Sequence, residues 1–117
     1  MRLSACSVAL FFAIACGGSD STPTSTNGSN KTYDVFTLES AFSPSFLGVA
    51  AGDTVVFHIT PGAMGDGHDV TFAATAGAPA NVNVTLSGNV SRIFRTRGDF
   101  HYECKVHPGM IGEIQVQ

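Results

Sequence analysis

Cys104, His107 and Met110 follow one another at three-residue spacing in Cys104-Lys105-Val106-His107-Pro108-Gly109-Met110, directly after the apolar stretch that begins at Phe100. A thiolate, an imidazole and a thioether are soft or borderline donors. Cys and Met sulfur favour Cu(I), while imidazole serves Cu(I) and Cu(II) alike. Such a set suits one copper ion, and a plane of one Cys and two His with a more distant Met on the axis is an established copper geometry. One imidazole is missing from the loop and must come from elsewhere.

Strand parity selects it, because alternate side chains of a strand point to opposite faces. In Thr54-Val55-Val56-Phe57-His58-Ile59-Thr60 the apolar set is Val55, Phe57 and Ile59, which turns His58 outward. In residues 100–104 the apolar set is Phe100, Tyr102 and Cys104, which sends His101 and Glu103 to the other face. His68, by contrast, shares a face with Val70 and Phe72 and sits at a strand mouth after the turn Gly65-Asp66-Gly67. The predicted metal ligands are therefore His68, Cys104, His107 and Met110.

The elements that must position them are short strands. Apolar runs rich in Val, Thr and Phe alternate with turns such as Ala51-Gly52-Asp53, Pro61-Gly62, Ser87-Gly88-Asn89 and Arg97-Gly98-Asp99, which predicts an all-β domain. Strands are expected near 33–38, 46–50, 54–60, 68–74, 82–86, 91–96, 100–104 and 112–117, with at most one helical turn, near 77–81. Seven or eight strands with this spacing point to a Greek-key β-sandwich.

Residues 68–72 (His-Asp-Val-Thr-Phe), followed by residues 98–112 with their Cys-x-x-His-x-x-Met, resemble the cupredoxins of the plastocyanin and amicyanin type. The two residues between His107 and Met110 are similar to amicyanin's short ligand loop, and Phe42-Ser43-Pro44 with residues 49–57 resembles the family's early strands. The resemblance spans residue 33 or so to the end. It implies the cupredoxin form of the sandwich, a type 1 (blue) copper centre and one-electron transfer through an apolar patch around His107, with loops 46–49 and 63–64 contributing. Relatives carry Asn after the first ligand His and a small hydroxyl residue after the Cys. Here those positions are Asp69 and Lys105, expected to join the two loops around the metal as an ion pair.

At the other end, Met1-Arg2 and the apolar run over 3–15, closing on Ala13-Ile14-Ala15, read as a secretory signal, too short to span a bilayer. Cys16 follows at once with Gly17-Gly18-Ser19, a pattern that resembles a bacterial lipoprotein signal in which Cys16 carries the lipid; plain cleavage after Ala15 is the alternative. Residues 16–31 are mostly Gly, Ser, Thr and Asn and read as a flexible tether, with the copper-binding domain over 32–117. Cys6 would leave with the signal, so Cys104 would be the domain's own unpaired thiol in an oxidising compartment, which metal ligation explains. The chain has six Lys and Arg against nine Asp and Glu, and losing Arg2 leaves a net charge of about −4. No basic cluster exceeds Arg92, Arg95 and Arg97, which disfavours nucleic acid.

The expected function is a monomeric electron carrier on the periplasmic face of a bacterial membrane, lipid-anchored through Cys16. Its partners would be redox proteins such as a c-type cytochrome or an envelope oxidoreductase. Copper storage or delivery is the alternative, weakened because Met64 is the only spare methionine of the domain. An enzyme is not expected, since a further copper with an open position would need more histidines than His58 and His101 supply.

Overall fold

The computed structural model describes residues 30–117. The expected signal, Cys16 and all of the tether but Asn30 and Lys31 lie outside the described residues. Lys31 is already tied to the domain, its amide donating to Asp53 Oδ1 at 2.8 Å and its carbonyl accepting from Thr54 N at 2.8 Å.

Nine strands follow in order: β1 (Thr32–Thr37), β2 (Phe42–Ser43), β3 (Phe46–Val49), β4 (Asp53–Ile59), β5 (His68–Phe72), β6 (Val82–Thr85), β7 (Gly88–Phe94), β8 (Gly98–Glu103) and β9 (Ile111–Val116). They form two sheets, ordered β2-β1-β4-β7 and β3-β9-β8-β5-β6. Two of the pairings are parallel, β1 with β4 and β3 with β9, and the rest are antiparallel. All eight expected strands are present. The ninth, β2, has two residues and no alternation to betray it, and it pairs only with the end of β1. Residues 77–81 form no helix; a turn closed by Ala78 N donating to Thr75 O stands there instead.

The alternation that separates faces is clear in β4, where Asp53, Val55, Phe57 and Ile59 are buried and the residues between them are not. The first sheet sends Val35, Val55, Phe57 and Phe94 into the core, and the second sends Val70, Phe72, Phe100, Tyr102 and Ile114. Aromatic edges lock the layers together: Phe57 meets Tyr102 at 5.5 Å and Phe72 meets Phe94 at 5.9 Å between ring centroids. Such contacts contribute roughly 0.5–1.5 kcal/mol each beyond area burial. Gly112, opposite Tyr102 in the β8–β9 ladder, leaves the space that the Tyr102 ring fills; a Cβ there would collide with that ring.

Asp53 fixes the entry to β4. Its side chain is fully buried, and its two oxygens accept backbone amides of Lys31 and Ala50 at 2.8 and 2.9 Å. The turn before it needs a left-handed residue, which Gly52 supplies at φ 99°.

Candidate metal centre

The centre is assembled at one end of the second sheet. β5 opens on His68, β8 runs into Cys104, and the loop that turns back into β9 carries His107 and Met110. Two backbone bonds close that loop, Cys104 N donating to Met110 O at 2.9 Å and Met110 N to His107 O at 3.0 Å. Gly109, at φ 87°, takes the tight corner between them.

Parity places three of the four histidines as expected. His68 is fully buried and Cys104 is 1 % exposed, while His58 and His101 face away from them on the outer surfaces of their sheets. His58 is held by Asp34 at 2.7 Å and Asn89 at 2.9 Å and stacks on Phe36; His101 lies 3.5 Å from Glu113.

The Nδ1 atoms of His68 and His107 lie 3.8 and 3.6 Å from Cys104 Sγ, and one donor atom from each of the three lies within 4.8 Å of the others. Bonds of about 2.0 Å to nitrogen and 2.3 Å to sulfur, spread at about 120°, would separate N from S by about 3.7 Å. The spacing therefore accommodates a metal ion between the three donors, and thiolate with two imidazoles is a donor set that copper accepts. It is the only group of its kind among the described residues. Met110 is 1 % exposed on the same loop, and its backbone bonds to Cys104 and His107 keep it beside them.

The electrostatics of the pocket suit a cation. Burial pushes the Cys104 thiol above its ordinary pKa, against backbone amides of Asp69, His107 and Val106 that pull it down. Burial, and then the neighbouring His107, lowers His68. Without a metal the pocket thus holds a neutral thiol and a neutral His68; a cation is what makes the thiolate favourable. The Nε2 atom of His68 is buried and has no hydrogen-bond partner among the described residues.

Asp69 and Lys105 are arranged differently from the expected ion pair. Lys105 Nζ pairs with Glu103, and both side chains are well exposed. The Asp69 carboxylate instead accepts the Lys105 backbone amide at 2.7 Å and the Val106 amide at 3.4 Å on Oδ1, and the Thr71 hydroxyl at 2.7 Å on Oδ2. Asp69 is 4 % exposed. A buried carboxylate already supplied with donors gains little from an ammonium that would have to shed water to reach it. The bridge between the two loops is thus present, but it runs from side chain to backbone.

One neighbour of the cluster was not anticipated. Asp66 Oδ2 lies 2.9 Å from His107 Nε2, which puts a carboxylate beside a ring expected to lie in an apolar patch. Nothing in the sequence links residues 41 positions apart; the contact depends on how the turn over 61–67 folds. A cavity of about 620 Å³ lies elsewhere, on the outer face of the second sheet beside Phe46, His101, Ile111 and Glu113, and none of the three donors lines it.

No family model matches the sequence, and no curated protein does. Solved structures do. A mutant amicyanin in its reduced Cu(I) form at pH 4 is 30 % identical, with a TM-score of 0.62 over 74 % of this chain and 82 % of that one. Plastocyanin from Dryopteris crassirhizoma is 25 % identical at a TM-score of 0.60, over 73 % of this chain and all of that one. A copper-containing nitrite reductase from Thermus scotoductus shares the fold at 24 % identity and a TM-score of 0.62, but the match spans only 22 % of its length. With the two-sheet fold, the buried Cys-His-His cluster and the amicyanin match together, the chain belongs to the cupredoxins of the plastocyanin and amicyanin type.

Proposed function

We propose that the domain is a type 1 copper protein that carries single electrons between redox partners in the cell envelope. The observation that carries this reading is the buried convergence of His68 Nδ1, Cys104 Sγ and His107 Nδ1. Those three residues would hold the ion, with Met110 as a fourth donor. Bound there, copper would supply a reversible Cu(II)/Cu(I) couple.

The protein's part is to hold the donors still. His68 and Cys104 stand at the ends of neighbouring strands, and the Asp69 bridge fixes the loop that follows Cys104. A donor set kept in place in both redox states changes little on electron transfer, which keeps the exchange fast. Burial of His68 and Cys104 excludes water from the sulfur and favours a carrier over a protein that hands on the metal itself, since delivery requires ligands a partner can reach. The amicyanin and plastocyanin likeness supports the same class.

The location and partners are part of the proposal. An exported protein, anchored by lipid on Cys16 and swung on the tether over 16–31, would meet redox proteins such as a c-type cytochrome at the envelope. Among the described residues no helix is long and apolar enough to cross a membrane. As for an enzymatic role, His58 and His101 each lie beside a carboxylate, and the Cys-His-His cluster is the only group of its kind among the described residues.

The test is the visible and electron paramagnetic resonance spectrum of the Cu(II)-loaded protein. An intense thiolate-to-copper band that disappears in Cys104→Ser is expected. A colourless Cu(II) complex, or a spectrum indifferent to that substitution, refutes the reading.

A further inference from the structure

We infer that Asp69 is a buried negative charge built into the wall of the metal pocket, one that makes the pocket favour a divalent over a monovalent ion; the inference deepens the copper reading and rests on it. Asp69 is 4 % exposed, and its oxygens accept the Lys105 amide at 2.7 Å, the Val106 amide at 3.4 Å and the Thr71 hydroxyl at 2.7 Å. With donors on both oxygens, the group is held as a carboxylate. Hydrogen bonds satisfy its oxygens but leave its charge unbalanced. None of the ion pairs among the described residues includes Asp69, and the Lys105 ammonium lies with Glu103 instead. A buried charge without a counter-charge is costly. A cation in the pocket is the counter-charge that the fold leaves for it.

The carboxylate is near enough to act on such an ion. Four covalent bonds run from the Lys105 amide nitrogen to Cys104 Sγ, so Asp69 Oδ1, at 2.7 Å from that nitrogen, lies within about 10 Å of an ion bound to the sulfur. At an effective dielectric constant of about 20, one unit of metal charge at that distance changes the affinity about tenfold. Cys104 as thiolate and Asp69 together contribute two negative charges. A divalent ion brings the sum to zero, and a monovalent ion leaves one negative charge buried. Asp66, the carboxylate beside His107, has a side chain 36 % exposed, so solvent screens it more than Asp69. For copper the consequence is a couple poised toward Cu(II), which makes the domain the stronger electron donor.

The test replaces Asp69 by Asn, which keeps an oxygen for the Lys105 amide and loses the charge; Asp69→Ser, also neutral, is the second variant. Two controls separate charge from bonding and from distance. Thr71→Val removes one bond and keeps the charge, while Asp99→Asn removes an exposed charge at the far end of β8. The first readout involves no electron transfer: Zn(II) and Ag(I) affinities at pH 7, each by competition with a chelator. Asp69→Asn and Asp69→Ser should lower the Zn(II)-to-Ag(I) affinity ratio about tenfold, and the two controls should change it less than about twofold.

The second readout is the reduction potential of the copper-loaded protein. It should rise by about 59 mV in Asp69→Asn, the equivalent of a tenfold fall in the Cu(II)-to-Cu(I) affinity ratio for one electron. The inference is overturned if the Zn(II)-to-Ag(I) ratio in Asp69→Asn stays within about twofold of wild type, or if Thr71→Val lowers it as far, because the bond and not the charge is then responsible. If the ratio falls as expected but wild type shows no reversible copper couple, the functional reading fails and the role of Asp69 is upheld. A copper couple in wild type whose potential is unmoved by Asp69→Asn upholds the functional reading and overturns the inference.

Discussion

Replacing Asp69 should loosen the domain by an amount that depends on what replaces it. The two 2.7 Å bonds, from the Lys105 amide and the Thr71 hydroxyl, are bonds to a charged acceptor and contribute roughly 1.5–3 kcal/mol each. Thr71 is half-buried and Lys105 exposed, so water can take over part of what Asp69→Ala removes, and the net loss should be about 2 kcal/mol. A domain of this size has a urea m-value of about 1 kcal/mol/M, which turns that loss into a midpoint lower by about 2 M. Asp69→Asn keeps an oxygen for the Lys105 amide and offers its NH2 to Thr71, so it should lose only about 1 kcal/mol.

The pH dependence has a definite sign. Burial pushes the Asp69 carboxyl up, but the bonds from Thr71, Cys104 and the amides of Lys105 and Val106 outweigh it and leave the pKa below its ordinary value. The unfolded chain then binds the proton more tightly than the folded one. The stabilisation is complete above the ordinary carboxylate value of about 4 and disappears as pH falls through the lowered folded value. Urea unfolding of metal-free protein should show wild type ahead of Asp69→Ala by a constant margin from about pH 7 to 5, closing below about 4. An Asp69→Ala midpoint within about 0.5 M of wild type at pH 7 would refute the claim that this carboxylate joins the two loops.

Other outcomes follow from the same structure. Because burial favours the protonated Cys104 thiol in metal-free protein, metal loading at pH 7 should release about one proton per ion into a weakly buffered solution; Cys104→Ser should release none. Asp53→Ala strands the amides of Lys31 and Ala50 and should cost about 2–4 kcal/mol in urea unfolding, while the spectrum of the copper-loaded protein stays that of wild type. Gly112→Ala drives a methyl into the Tyr102 ring, which Phe42, Phe57 and Phe72 hold from other sides. Overpacking of this sort costs about 1–3 kcal/mol and should show as a lowered thermal midpoint.

What could be read in the sequence was what periodicity encodes. The two-residue alternation in β4 and β8 told His58 and His101 apart from His68, and the three-residue spacing of Cys104, His107 and Met110 marked the loop. The eight longer strands were legible for the same reason. β2 was not, because two residues carry no period. Asp69 and Lys105 were recognised as unusual, but charge sign suggested an ion pair where burial and the nearby Lys105 amide decided otherwise. The approach of Asp66 to His107 was hidden for a different reason: it depends on the path of a glycine-rich turn, and glycine widens the choice of backbone conformations beyond what side-chain pattern can specify.

The placement of β9 sets an order of assembly. It lies between β3 and β8 and makes the parallel pairing that β3 depends on, so a chain growing from its amino end cannot close the second sheet before residue 116 is added. Cys104, His107 and Met110 occupy the segment just ahead of that strand, anchored on one side only until it docks. A nascent or shortened polypeptide would carry all four donors and yet lack the rigid pocket, leaving a reactive sulfur open to stray metals and oxidants until the last strand seals it.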